Sequence, residues 1–108
     1  MCHMPVSSEQ IIQMRGERPV AQYRPGQVLF YLDHRPMGLW LLLHGEVILR
    51  GRNQQRTYVT APAVLGFVQL QTDVSYPATA QATTACEVVF IGREELGSDL
   101  SAFATANA

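Results

Sequence analysis

Glycine and proline interrupt this chain so often that no long regular element fits between the breaks. Pro25-Gly26, Pro36, Gly38, Gly45, Gly51, Pro62, Gly66, Pro77 and Gly92 leave only short stretches, and the longest apolar run is Leu39-Trp40-Leu41-Leu42-Leu43. That run is far below the ~20 residues a membrane-spanning helix needs. Short apolar or alternating runs bounded by turn residues read instead as strands. Arg24-Pro25-Gly26-Gln27 predicts a type II turn, with proline at its first central position and glycine accepting the positive φ of the second. Beyond it Val28, Phe30 and Leu32 alternate with Leu29, Tyr31 and Asp33. Leu39 to His44, apolar on both faces until His44, and Glu46 to Arg50 are joined by Gly45 and predict a hairpin. Thr57 to Thr60, Ala78 to Gln81 and Cys86 to Ile91 add three further strands.

Helical signals are weaker and sit between or beside the strands. Ser7 and Gln10 form a capping-box pattern ahead of Ile11, Ile12 and Met14, and Gly16 stops the run. Around Ala63 to Thr72 the alternation disappears, and Val64 to Leu70 predicts a helical turn with Leu65 and Gln69, or Phe67 and Leu70, on a shared face. Arg93 to Leu96 and Ser98 to Ala104 predict short terminal helices. Six or more short strands with such small helices predict a mainly β domain, closed or built of two sheets.

At 108 residues there is room for one domain, and 47% apolar content can fill its core without disulfides or a structural metal. Eight basic residues, all arginine, against nine acidic ones give a formal net charge of −1, so there is no positive excess to hold a nucleic acid. Met1 to Glu9 has neither a basic start nor the ~7–15 apolar residues of a secretory signal, and a cytoplasmic protein is expected. Cys2 and Cys86 do not make a disulfide framework. Cys86, within Ala85 to Ile91, reads as a thiol packed like a small apolar side chain.

Four spaced segments resemble the cyclic nucleotide-binding domain family, in the branch of catabolite-activator-like and oxygen-sensor-like bacterial transcription regulators. They are Tyr23 to Phe30, Leu39 to Val47, Gly66, and Tyr76-Pro77-Ala78-Thr79-Ala80-Gln81-Ala82. The resemblance spans roughly residues 20–96 and implies a double-stranded β-helix, or jelly-roll β-roll, with short N- and C-terminal helices, so that 1–108 forms a single domain of this kind. In the family, the segment beginning at the position of Gly66 is a phosphate-binding cassette. Its short helix points N–H groups at the cyclic phosphate, a carboxylate directly after the glycine holds the ribose hydroxyl, and an arginine further on pairs with the phosphate.

This chain departs from that pattern at both decisive positions. Phe67 follows Gly66, and the arginine position falls on Tyr76, or on Ser75 with the gap placed differently. Phe67 cannot accept a hydrogen bond, and a neutral Tyr76 offers one donor in place of a charged fork. Losing two hydrogen bonds to charged groups, at ~1.5–3 kcal/mol each, weakens nucleotide binding by at least ~100-fold. The resemblance therefore implies a degenerate cassette bordered by Gly66, Phe67, Val68, Tyr76, Pro77, Ala78 and Thr79. Phe67 and Tyr76 either fill the pocket or leave a new apolar one. The Tyr-Pro-Ala-Thr-Ala run from Tyr76 to Ala80 is also similar to family members that have given up the nucleotide and sense something else or act through protein contacts.

Other candidate sites are poorer. His3, His34 and His44 form no His-x-His pair and share no strand, unlike the ligands of a cupin metal site, and Cys2-His3-Met4 is too sparse for a metal or haem site. Glu94-Glu95 meets a helix start, which accounts for it structurally, and Glu46 has no acidic neighbour in sequence. Phe30, Tyr31, Trp40 and Phe90 read as core or β-surface residues rather than stacking platforms. No catalytic set, metal or cofactor is expected. About a dozen residues follow Leu96, too few for a helix-turn-helix module, so direct nucleic-acid binding is not expected either.

The expected function is a non-catalytic regulatory sensor or interaction module. Its partner would be a small-molecule ligand of unknown identity or a protein, with no membrane involved and a homodimer open. The alternatives are a genuine cyclic nucleotide sensor, with Arg50, Arg52 or Arg56 supplying the phosphate contact, or the sensor part of a longer DNA-binding regulator.

Overall fold

Strand β4 (Gly38–His44) is apolar on both faces because both are covered. A computed structural model of the protein, describing residues 3–96, places it at the centre of a five-stranded sheet. Its neighbours are β7 (Ala63–Leu65) and β9 (Cys86–Gly92), flanked by β1 (His3–Pro5) and β2 (Ala21–Tyr23). The second sheet runs in the order β3 (Val28–Phe30), β8 (Ala78–Ala82), β5 (Glu46–Gly51), β6 (Arg56–Thr60). Every pairing is antiparallel. This is the mainly β, two-sheet architecture that the short punctuated runs predict, and the jelly-roll β-roll that the family resemblance implies.

The inner faces meet in one core. Trp40 and Leu42 of β4 and Val88 of β9 pack with Val47 and Leu49 of β5 and with Ala78, Ala80 and Ala82 of β8. The inward positions of β8 are all alanine, which leaves room in that core for the rings of Phe30, Trp40 and Tyr76. Three helices cover the outer face of the first sheet: α1 (Ser8–Arg15), α2 (Phe67–Thr72) and α3 (Arg93–Leu96). Ile11, Met14, Phe67, Leu70 and Leu96 bury Leu39, Leu41, Val89 and Ile91 there.

Local signals act where they stand. The Ser7 side chain accepts from the Gln10 N–H while the Gln10 side chain accepts from the Ser7 N–H, closing the capping box of α1. The Arg24–Gln27 turn closes with Gln27 N–H donating to the Arg24 carbonyl at 3.0 Å. Cys86 is a buried free thiol.

Two expectations are corrected, and one strand is added. β4 and β5 are not a hairpin, because the chain leaves one sheet at Gly45 (φ 98°) and enters the other, β4 pairing with β7 and β9 and β5 with β6 and β8. The predicted helical turn at Val64 is a strand through Leu65, with the helix starting only at Phe67, because Ala63–Leu65 complete the β1-β7-β4 ladder. The N-terminal segment carries a strand the sequence reading lacks, His3–Pro5, since pairing with β7 supplies the stability its composition does not advertise. Cys2 and the predicted helix at Ser98–Ala104 lie outside the described residues. Among the described residues no helix is long and apolar enough to cross a membrane.

Candidate ligand site

The cassette-like segment starts at a backbone position made for glycine. Gly66 ends β7 with φ 84°, a left-handed conformation, and a Cβ there would lie 3.2 Å from the ring of Tyr76 and 3.5 Å from the Gly38 carbonyl oxygen. The close approach that glycine permits is thus made to a side chain of the protein itself. Helix α2 follows for six residues, burying Phe67, Gln69 and Leu70 and exposing Val68, and ends at Asp73 in a second left-handed conformation, φ 55°.

Tyr76 is 2% exposed. Its ring stacks on Phe30 at 4.1 Å between centroids and meets Trp40 edge-on at 5.8 Å, and its hydroxyl donates to the Gly38 carbonyl at 3.0 Å. The Tyr76 backbone is fixed as well, donating from its N–H to the His34 carbonyl and accepting from the Asp33 N–H. Phe67 goes the other way. Its ring belongs to the helix-covered cluster with Leu39, Leu41 and Leu70, on the far face of the sheet from Tyr76. The two residues expected to share one pocket therefore serve two different cores. Ala78 is buried, Pro77 is exposed, and the half-buried Thr79 accepts from the Leu32 N–H through its hydroxyl at 2.9 Å.

Two clefts flank this segment. One, of about 220 Å³, opens beside Pro77 and Ala78 against Leu49, Gly51, Gln55 and Thr57, with His3 at its edge, and among the described residues that line it none is an arginine, aspartate or glutamate. The other, of about 200 Å³, lies between Phe30, Trp40, Tyr76 and Phe90, with Tyr31, His34, Arg35 and Met37 at its rim. A larger cleft of about 310 Å³, between α1 and the end of β4, shares no residue with the segment from Gly66 to Thr79.

The three arginines weighed as substitutes do not converge on the roll interior. Arg50 and Arg56 face each other across β5 and β6 on the side opposite the inward Leu49 and Val59, and Arg52 is bound to Asp33. Among the described residues no three His, Cys, Asp or Glu side chains are grouped to hold a metal ion. His34 and His44 are exposed, and His44 stands 3.6 Å from Glu87. Asp73 accepts from Arg93 at 2.8 Å, and Arg35 lies farther off at 3.8 Å. The hydrogen bond and charge of Arg93, with a smaller contribution from Arg35, hold the Asp73 carboxyl below its ordinary value.

Sequence reasoning did not find the contribution of the loop from Tyr31 to Met37, nor the close approach of the Phe90 ring to Gly38. A Cβ on Gly38 would lie 2.7 Å from the Phe90 ring. The sequence carries no local signal for it, since Tyr31, Met37 and Phe90 stand among apolar, proline or glycine neighbours like those of core residues.

Two antiparallel sheets closed into a roll, with a short helix launched from a left-handed glycine between β7 and β8, define a β-roll built around a helical cassette. The chain belongs to the cyclic nucleotide-binding domain family, whose profile matches residues 20–101. Similar solved structures include the regulatory subunit of a cAMP-independent protein kinase A from Trypanosoma brucei, at 16% identity and a TM-score of 0.75, over 93% of this chain and 37% of that one. The catabolite activator protein of Thermus thermophilus is 20% identical, with a TM-score of 0.70 over 94% of this chain and 51% of that one. The N-terminal domain of a transcriptional regulator from Streptomyces coelicolor A3(2) is 21% identical, with a TM-score of 0.69 over 94% of this chain and 76% of that one. No curated protein matches the sequence.

Proposed function

We propose that this chain is a non-catalytic regulatory module of the family that does not bind cyclic AMP or cyclic GMP in the usual mode. The observation that supports this most is the placement of Tyr76. At the position where the family carries its phosphate-pairing arginine, a neutral ring is buried against Phe30 and Trp40, with its one donor engaged by the Gly38 carbonyl. A cyclic phosphate entering there would lose its water without the buried guanidinium that the family supplies at this position, an arrangement that costs several kcal/mol. Phe67, at the position of the ribose-binding carboxylate, is committed to the opposite core.

Gly66, Phe67, Val68, Tyr76, Pro77, Ala78 and Thr79 then act as a structural remnant of the cassette, and residues 1–108 act as one unit. The name of the trypanosomal structure, a cAMP-independent regulatory subunit, fits a roll that regulates without the nucleotide. The near-neutral charge of the chain makes nucleic acid a poor partner, and a cytoplasmic small molecule or protein a better one. Thermal unfolding with added nucleotide tests the reading. A micromolar ligand at about a thousandfold excess over its Kd would add about 4 kcal/mol of stability. An unchanged midpoint with ~1 mM cyclic AMP or cyclic GMP is expected, and a rise of several degrees would overturn the reading.

A further inference from the structure

We infer that the cleft between Phe30, Trp40, Tyr76 and Phe90 is a binding site for a small aromatic carboxylate, its ring held on the aromatic wall and its carboxylate by Arg35. The inference rests on the reading of the module as one freed from cyclic nucleotide, and it assigns the class of molecule sensed.

The wall is built and partly open. Phe30 and Trp40 lie 5.0 Å apart between centroids and Trp40 and Phe90 4.8 Å apart, all tilted, so the cleft presents ring faces and edges together. Trp40 is buried, whereas Tyr31, Met37 and Phe90 are 53%, 68% and 46% exposed around the same opening. Three large apolar side chains converging on one cleft mark a place where something apolar docks. A closed apolar cavity of ~150 Å³ accepts a benzene ring. This cleft, open on one side, measures about 200 Å³, the size scale of one ring with a small substituent.

Charge selects the substituent. Asp73 is satisfied by Arg93, whose guanidinium also donates to the Pro36 carbonyl at 3.0 Å, leaving Arg35 at 3.8 Å with a side chain 78% exposed. One carboxylate between two guanidiniums leaves a net positive charge at the rim, and an arginine fork pairs bidentately with a ligand carboxylate. The rim loop is preorganised: Asp33, His34 and Leu32 are tied by backbone groups to Tyr76 and Thr79. Binding would cost little ordering.

Trp40 is the chain's single tryptophan, so its emission reports directly on the cleft. The test titrates the full chain with benzoate and phenylacetate, with benzamide as the uncharged analogue and cyclic AMP in parallel. A saturable emission change is expected, half-complete near ~1 mM or below. Arg35→Gln and the change to benzamide should each weaken it about tenfold. Phe90→Ala should weaken it too, with its midpoint of thermal unfolding confirming that the variant is folded. No saturable change up to ~20 mM benzoate, or equal affinity in Arg35→Gln, would overturn the assignment; a cleft that docks another protein instead would give that silence. Tight cyclic AMP binding would overturn the parent reading, whereas silence to both probes overturns the carboxylate site alone.

Discussion

The hydroxyl of Tyr76 donates to the carbonyl oxygen of Gly38 inside the core, at 3.0 Å. The pair ties the end of the cassette-like segment to the first residue of β4, across the same space that Gly66 leaves open. Tyr76→Phe leaves the ring in place and the buried carbonyl without this donor, a loss of about 1–3 kcal/mol. For a domain of this size each kcal/mol lowers the thermal midpoint by about 4–8 °C, which scanning calorimetry resolves. Tyr76→Arg, which restores the family's residue type, should lose more, about 3–5 kcal/mol, because it buries a charge in an aromatic surround.

Gly38 is required for space rather than for backbone freedom. An added Cβ would come 2.3 Å from the Ile91 carbonyl oxygen and 2.7 Å from the Phe90 ring. Gly38→Ala should therefore push β4 from β9 and displace Phe90, costing about 1–3 kcal/mol in denaturant unfolding. It should also change the emission of Trp40, which packs on Phe90.

At the other end of the molecule, the capping box of α1 offers a cleaner test of a local signal. Ser7→Ala removes the acceptor for the Gln10 N–H and should cost about 0.5–2 kcal/mol, read as a lower urea midpoint with an unchanged slope.

Asp73 predicts an acid-side dependence. Its carboxyl is held below the usual 3.8, first by the hydrogen bond from Arg93 and then by its charge. A folded-state value below the unfolded one means that the stabilisation is fully present above the unfolded value and fades as the pH falls through the folded one. Asp73→Asn tolerates the same left-handed backbone and removes the charge. The stability gap between the two proteins should be constant from neutral pH down to mildly acid pH and shrink below the usual 3.8. The effect should be small because the group is exposed. A gap that widens on acidification would contradict the assignment.

Elements whose signals are local were legible in the sequence: the Ser7–Gln10 cap, the Pro25-Gly26 turn, and the short β-branched and apolar run that makes Cys86 to Ile91 a strand. What was not legible depends on which partner a strand finds. Leu39–Leu43 and Val47–Leu49 look like two arms of a hairpin, yet the corner at Gly45 sends them into different sheets, and no local pattern distinguishes the two outcomes. Ala63–Leu65 is a strand because β1 and β4 lie beside it. The replacement of the cassette's charged residues by Phe67 and Tyr76 was equally plain in sequence. Their separation to opposite faces of the sheet was not, since side-chain direction on either side of the Gly66 corner is set by tertiary packing.

Isothermal titration calorimetry of the full chain with cyclic AMP and cyclic GMP addresses the central claim most directly. With Tyr76 in place of a phosphate-pairing cation, no saturable heat is expected at nucleotide concentrations up to ~0.1 mM. A one-site isotherm with a sub-micromolar Kd for either nucleotide would contradict it.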